Sequence, residues 1–241
     1  MNTPSRPFPN AVAASEASAA FMSRVYSWMT GGVLVTALIA TVLGQNEEMM
    51  ITLLTTRFLF TGLLIAQLGL VIGLSAAMNR ISASTATMLY ILYAALTGVT
   101  LSTIFVMYTH DSIAGVFLST SCGFAGLSLV GYTTKRDLGP VGAFCGMALF
   151  GLVGWGLLSL FFPSIMGGEL QMVYSIIGVV VFAGLTAYDT QKIKAMAFSA
   201  GQGGMSEDAV KKGAIFGALT LYLDFINLFL NLLRLAGGRR R

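Results

Sequence analysis

The chain has 241 residues, of which 56% are hydrophobic and 10% charged, against about 25% charged in a typical soluble domain. With a mean hydropathy of +0.80, its 14 basic and 10 acidic side chains are too few to cover a water-facing surface. That excludes an ordinary soluble domain, a disordered chain and a disulfide-stapled module.

Residues 1–23 come first, rich in Pro, Ala and Ser. They lack the compact basic and apolar regions of a signal peptide and are expected to form a disordered tail. Charges then punctuate long apolar runs. There are 22 uncharged residues between Arg24 and Glu47, 22 between Arg57 and Arg80, 23 between Asp111 and Lys135, and 19 between Glu169 and Asp189. A helix crossing about 30 Å of hydrocarbon needs about 20 residues. Seven spans are therefore predicted, near 26–44, 58–78, 86–108, 113–133, 138–162, 170–190 and 213–234. The alternating ten-residue segments of a membrane β-barrel are absent from the sequence.

The predicted organisation is an all-α polytopic membrane protein with a tail over 1–23, a seven-helix domain over 24–236 and a basic tail over 237–241. Basic residues stand at span ends, the usual membrane pattern, so membrane lipid and not nucleic acid is the expected partner. With the N-terminus inside, the inner segments hold Arg6, Arg24, Arg80, Lys135, Arg136, Lys192, Lys194, Lys211 and Lys212, and the outer loops only Arg57. A multi-pass membrane protein with a cytoplasmic N-terminus follows as the expectation. Arg234 and the Arg239–Arg241 tail then fall outside, and the alternative is a re-entrant last helix that leaves both ends inside.

Charges within spans are the informative residues, since each costs roughly 2.5–3.5 kcal/mol or more at the bilayer centre. Asp224 lies in the middle of the seventh span and Asp189 ends the sixth. Gly213, Gly217, Thr220, Asp224, Asn227 and Asn231 recur at steps of four and three, so they share one helix face. Thr220, Asn227 and Asn231 either line an ion pathway or hydrogen-bond neighbouring helices. Asp189 has a second reading as a headgroup-level carboxylate beside Lys192. A depth problem follows. Lys192 is three residues past Asp189, while Lys212 is twelve residues before Asp224. If both lysines mark one interface, the carboxylates meet only if residues 190–212 are partly helical, dip inward or tilt. Ser199–Gly204 reads as a flexible loop within that stretch. Arg80, closing the second span, is either a snorkelling anchor or a cation within reach of an inward carboxylate.

Other signals are sparse. Cys122 and Cys145 lie inside apolar runs, and two Cys with one His exclude a zinc cluster or haem-type ligation. His110 and the Glu47–Glu48 pair are expected in outer loops. No cofactor motif is visible, and the 28 Gly are spread through the spans, where they allow close packing.

The strings Leu185-Thr186-Ala187-Tyr188-Asp189-Thr190-Gln191-Lys192 and Leu221-Tyr222-Leu223-Asp224-Phe225-Ile226-Asn227 resemble the last two helices of the Bax inhibitor-1/YccA-like family, and Leu96-Thr97-Gly98-Val99-Thr100-Leu101-Ser102 resembles its third. The resemblance implies a seven-helix bundle with the last helix central. It also implies a pH-sensitive calcium leak, gated by a hydrogen-bonded carboxyl pair at the positions of Asp189 and Asp224. Arg80 matches an arginine that can latch the sixth-helix carboxylate. Calcium would be a permeant ion held transiently by Asp189 and Asp224, since it prefers about six to eight oxygen ligands. A membrane-bound ATP-dependent protease is the partner implied for some members, with residues 1–23 as a handle. Paired membrane aspartates also describe intramembrane aspartyl proteases, but those carry Gly-x-Gly-Asp where this chain has Leu221-Tyr222-Leu223-Asp224. The expectation is a non-enzymatic channel.

Overall fold

The computed structural model describes residues 9–78, 80–162, 167–201 and 206–238. Among these the chain forms helices and no strands: α1 (Pro9–Gly44), α2 (Glu47–Thr55), α3 (Arg57–Ala77), α4 (Ala83–Leu101), α5 (Ile104–Met107), α6 (His110–Thr133), α7 (Gly139–Phe161), α8 (Glu169–Gly201) and α9 (Glu207–Ala236). Seven segments are long and apolar enough to cross a membrane, with α4 and α5 together making one. Capping residues set several starts. Ser82, Thr109 and Ser206 accept from the backbone amides of Thr85, Ser112 and Ala209. The break between α4 and α5 follows a run of hydroxyls. Ser102 and Thr103 donate to the carbonyls of Val99 and Thr100 at 2.6 and 2.8 Å, which competes with the helical ladder.

The apolar pattern decides which helices are central. In α9, 67% of the most apolar stretch is buried, against 11% in α3. α9 packs against α8, α1, α6 and α4, while α3 leans on α4 and α7 on α8. The core is built from its side chains: Tyr222, fully buried, meets Tyr90 and Tyr93 edge-on, and Phe225 meets Phe117 and Phe124. Outward-facing Leu38, Phe58, Phe144 and Phe150 are the surface that lipid covers.

α9 crosses the whole bundle. At one end Lys212 Nζ donates to the Ile81 carbonyl at 3.3 Å and the Ala83 amide donates to Asp208 at 3.2 Å. At the other, the Thr109 amide donates to the Gly238 carbonyl and the Gly238 amide to Ser112 Oγ. Its 30 residues span about 45 Å. The re-entrant alternative is therefore overturned. The first of these ends carries Arg24, Arg80, Lys135, Arg136, Lys211 and Lys212 and is called the basic end below; the other is the far end.

Two further expectations are corrected. The tail read as disordered is helical from Pro9, and Phe21 and Met22 are buried in the core. Residues 1–8 and 239–241 lie outside the described residues. Phe21 packs where Gly213 leaves space on α9, so the apolar pattern of α1 extends past Arg24. The sixth span does not end near residue 190 but continues to Gly201, so Ser199–Gly201 is helix. Residues 202–204 of the expected loop lie outside the described residues.

Candidate functional site

The long α8 resolves the depth problem. α8 and α9 are antiparallel, with Ile193 against Gly217 and Asn231 against Gly178; a Cβ at Gly178 would lie 2.6 Å from the Asn231 side chain. In this register the two lysine positions do not mark one plane. Lys194 Nζ donates to the Tyr132 carbonyl at 2.6 Å beside the α6–α7 connection, while Lys212 is tied to the α3–α4 connection. Gln191 grips the α6–α7 connection too, accepting from the Leu138 amide at 2.9 Å and donating to the Arg136 carbonyl at 2.8 Å.

Two residues before that grip, Asp189 meets Asp224. Their carboxyl groups lie within hydrogen-bonding reach of one another. Asp224 is 4% exposed, and with both groups ionised its Oδ2 has no hydrogen-bond donor. Carboxylates only accept. A proton shared between the two groups gives that oxygen a partner and removes one of two like charges. The nearby cation is Lys192, one turn along α8 and exposed.

The other candidates sit apart from this pair. Arg80 is exposed on the α3–α4 connection and makes no ion pair with Asp189. Its neighbour Ile81 is level with Lys212, twelve residues or about 18 Å of helix before Asp224. Thr220 donates to the Phe216 carbonyl of its own helix at 3.0 Å. Asn231 is buried against Gly178 and donates to the Asn227 carbonyl. Asn227 donates to the Leu223 carbonyl at 2.8 Å and lines a cavity of about 460 Å³ that opens at the far end. Among the described residues no group of three or more His, Cys, Asp or Glu is placed to hold a metal ion. His110 begins α6, exposed, with its ring 5.4 Å from Phe105.

Two features of the site go beyond the sequence reading. Arg234 continues the polar stripe by one more step of three and faces the same far-end cavity. The stripe's periodicity carries that signal, but the sequence reading stops at Asn231. Gln67, Thr97 and Thr100 also line the cavity and are buried; nothing local in the sequence marks them, because α3 meets α4 only through tertiary packing.

The comparisons agree over nearly the full length. The family model described as inhibitor of apoptosis-promoting Bax1 matches residues 18–241. Inner membrane protein YbhL of Escherichia coli K12 is 50% identical, over 91% of this chain and 92% of its own. An uncharacterized protein of Borreliella burgdorferi is 42% identical over 91% and 92%, and one of Deinococcus radiodurans 41% over 91% and 90%. With seven apolar helices, the last of them central, the chain is a multi-pass membrane protein that belongs to the Bax inhibitor-1 family.

Proposed function

We propose that the protein is a pH-sensitive calcium leak channel in which Asp189 and Asp224 close the basic end of the bundle. The observation that carries this reading is the buried contact between the two carboxyl groups, with one Asp224 oxygen lacking a donor. A shared proton ties α8 to α9. Its loss leaves two like charges in a low-dielectric site, and the repulsion favours separation of the helices. The leak then rises as pH rises. Separated, the carboxylates offer calcium a transient station; two side chains and water cannot complete a storage site that needs about six to eight oxygens.

Arg80 enters this scheme only through movement. In the arrangement described it lies near the Lys212 level, so pairing with Asp189 would require the α3–α4 connection to move into the bundle. Basic residues gathered at one end make that end cytoplasmic by the positive-inside rule, with α1 entering from the cytoplasm. Catalysis plays no part in the proposal. A role as modulator of a membrane-bound ATP-dependent protease, with residues 1–23 as the handle, is the second reading; Phe21 and Met22 of that stretch are buried in the core, while Ser15, Glu16 and Ala17 are exposed on α1.

The test is calcium entry into liposomes carrying a calcium dye, from pH 6 to 8. Wild type should leak more at the higher pH, and Asp224→Asn and Asp189→Asn should each flatten the profile. Flux with unchanged pH dependence in both variants would refute the switch. No flux at any pH from folded protein would make the interaction role the leading one, and cleavage of a helical membrane substrate would favour the protease reading.

A further inference from the structure

The far-end cavity holds a charge that has no anionic partner among the described residues. It is walled by α3, α4, α5, the start of α8, and α9. Among the described residues that line it, Arg234 is the only charged one. The guanidinium is half-buried, touching Asn231 Oδ1 at 3.5 Å and lying 5.8 Å from the Tyr174 ring. Neither neighbour is anionic, and a guanidinium carries five donors. A cation drawn out of water in this way normally takes a counter-ion.

The polar groups around it are engaged unevenly: the Thr97 and Thr100 hydroxyls donate to the Tyr93 and Thr97 carbonyls at 2.9 and 3.0 Å, while the Gln67 amide has only long contacts. Gln67 is 8% exposed, Thr97 4% and Thr100 6%. Their mutual bonds are long: Gln67 Nε2 reaches Thr100 Oγ1 at 3.3 Å and the Leu96 carbonyl at 3.4 Å, and Thr97 Oγ1 reaches Gln67 Oε1 at 3.4 Å. Good N–H···O and O–H···O bonds run about 2.7–3.2 Å and 2.5–3.0 Å. The buried Gln67 amide at such distances keeps capacity for a better partner. One helical turn before Gly178, at the level of Arg234, the Ser175 hydroxyl is fully buried and unbonded.

We infer that this cavity binds a small organic monocarboxylate, its carboxylate on the Arg234 fork and its body between the Gln67–Thr97–Thr100 cluster and the apolar wall. The one charged side chain among the described lining residues balances one negative charge, which disfavours a phosphate dianion. The guanidinium fork matches a carboxylate in two parallel hydrogen bonds. A volume of about 460 Å³ exceeds what a bare ion needs and falls in the range of small-molecule sites. Leu64, Met107 and Ile226 give the carbon skeleton an apolar face. The inference does not depend on the carboxyl pair or on the calcium leak.

The test uses the purified full-length protein in detergent. Its melting temperature is followed against acetate, butyrate, inorganic phosphate and chloride at matched ionic strength. The expected result is a saturable rise with butyrate, larger than with acetate and absent with chloride and phosphate. Arg234→Gln should weaken the apparent affinity at least tenfold, and the exposed control Glu207→Gln should leave it unchanged. If Arg234→Gln does not fold, Thr97→Val and Gln67→Leu take its place, each with a severalfold loss. An equal rise in wild type and in these variants, a rise with phosphate alone, or no carboxylate effect beyond that of chloride would overturn the inference.

Discussion

α9 treats its charges in two ways. In its first turns Glu207 pairs with Lys211 at 2.7 Å and Asp208 with Lys212 at 3.1 Å, each four residues apart. Further along the same helix, Asp224 and Arg234 are left unneutralised, ten residues or about 15 Å apart. Both are drawn into the bundle, where an unpaired charge is costly. A helix that only needed to be stable would place them within one turn of each other. Each instead faces its own cluster: Asp224 a second carboxyl group, Arg234 a cavity of amides and hydroxyls. The paired charges stand at the exposed start of the helix, and the unpaired ones face into the bundle.

The largest effect that would break this comparison lies at the carboxyl pair. Asp224→Asn keeps the shape and supplies a permanent donor to Asp189, so the two helices stay joined at every pH. The ratio of calcium leak at pH 8 to that at pH 6 should fall to about one, as read by dye-loaded liposomes. Arg80→Gln should alter that ratio far less, because Arg80 does not touch the pair. An Arg80 variant as flat as Asp224→Asn would show that the α3–α4 connection does reach Asp189.

Next in size are contacts that hold α9 and α8 against their other neighbours. Thr36 Oγ1 lies 2.6 Å from the Tyr222 hydroxyl and donates to the Ala94 carbonyl at 2.8 Å, joining α1, α4 and α9 in one buried knot. Thr36→Val takes the 2.6 Å partner from the fully buried Tyr222 hydroxyl and leaves Thr97 beside it, at about 1–3 kcal/mol. The double variant with Tyr222→Phe should recover part of that loss in thermal melts. On the other side, a Cβ at Gly131 of α6 would collide with the Ala187 carbonyl of α8. Gly131→Ala should cost about 1–3 kcal/mol through overpacking. Because it pushes on α8 two residues from Asp189, it should also shift the pH profile, whereas Thr36→Val should lower stability and leave the profile in place.

These contacts also show what the sequence could convey. Span number, and the shared face of Asp224 and Asn227, follow from periodicity alone, since lipid demands about 20 apolar residues per crossing. The ends of α8 and α9 do not. Lys192 and Lys194 look like an interface marker, yet α8 runs on to Gly201, because Ala197 and Ile193 are buried against neighbouring helices. A lysine marks the local water boundary, and that boundary differs between the α6–α7 and α3–α4 sides. The helical start of α1 is hidden for the same reason: Phe21 and Met22 find apolar partners only after α9 is in place. The meeting of Asp189 with Asp224 is a consequence of that register, which no local pattern encodes.

The smallest effects should come from the paired charges, and they sharpen the contrast with Asp224 and Arg234. The Glu207–Lys211 pair has side chains 81% and 54% exposed, so solvent and salt screen it and its net contribution is close to nothing. Glu207→Gln should leave the melting temperature unchanged, at low salt and at 0.5 M salt (a roughly 4 Å screening length). Asp208 differs by one bond. Its Oδ2 pairs with Lys212 while its Oδ1 accepts from the Ala83 amide, fastening the start of α9 to the start of α4. Asp208→Ala removes both and also loses one of the ties that fix how deep α9 sits. It should lower the melting temperature where Glu207→Gln does not, with a deficit that persists at high salt, because a directional bond to a backbone amide is screened less than an exposed ion pair. If both variants melt alike at both salt concentrations, the tie to α4 contributes nothing, and the depth of α9 is set by Tyr222 and Phe225 in the core alone.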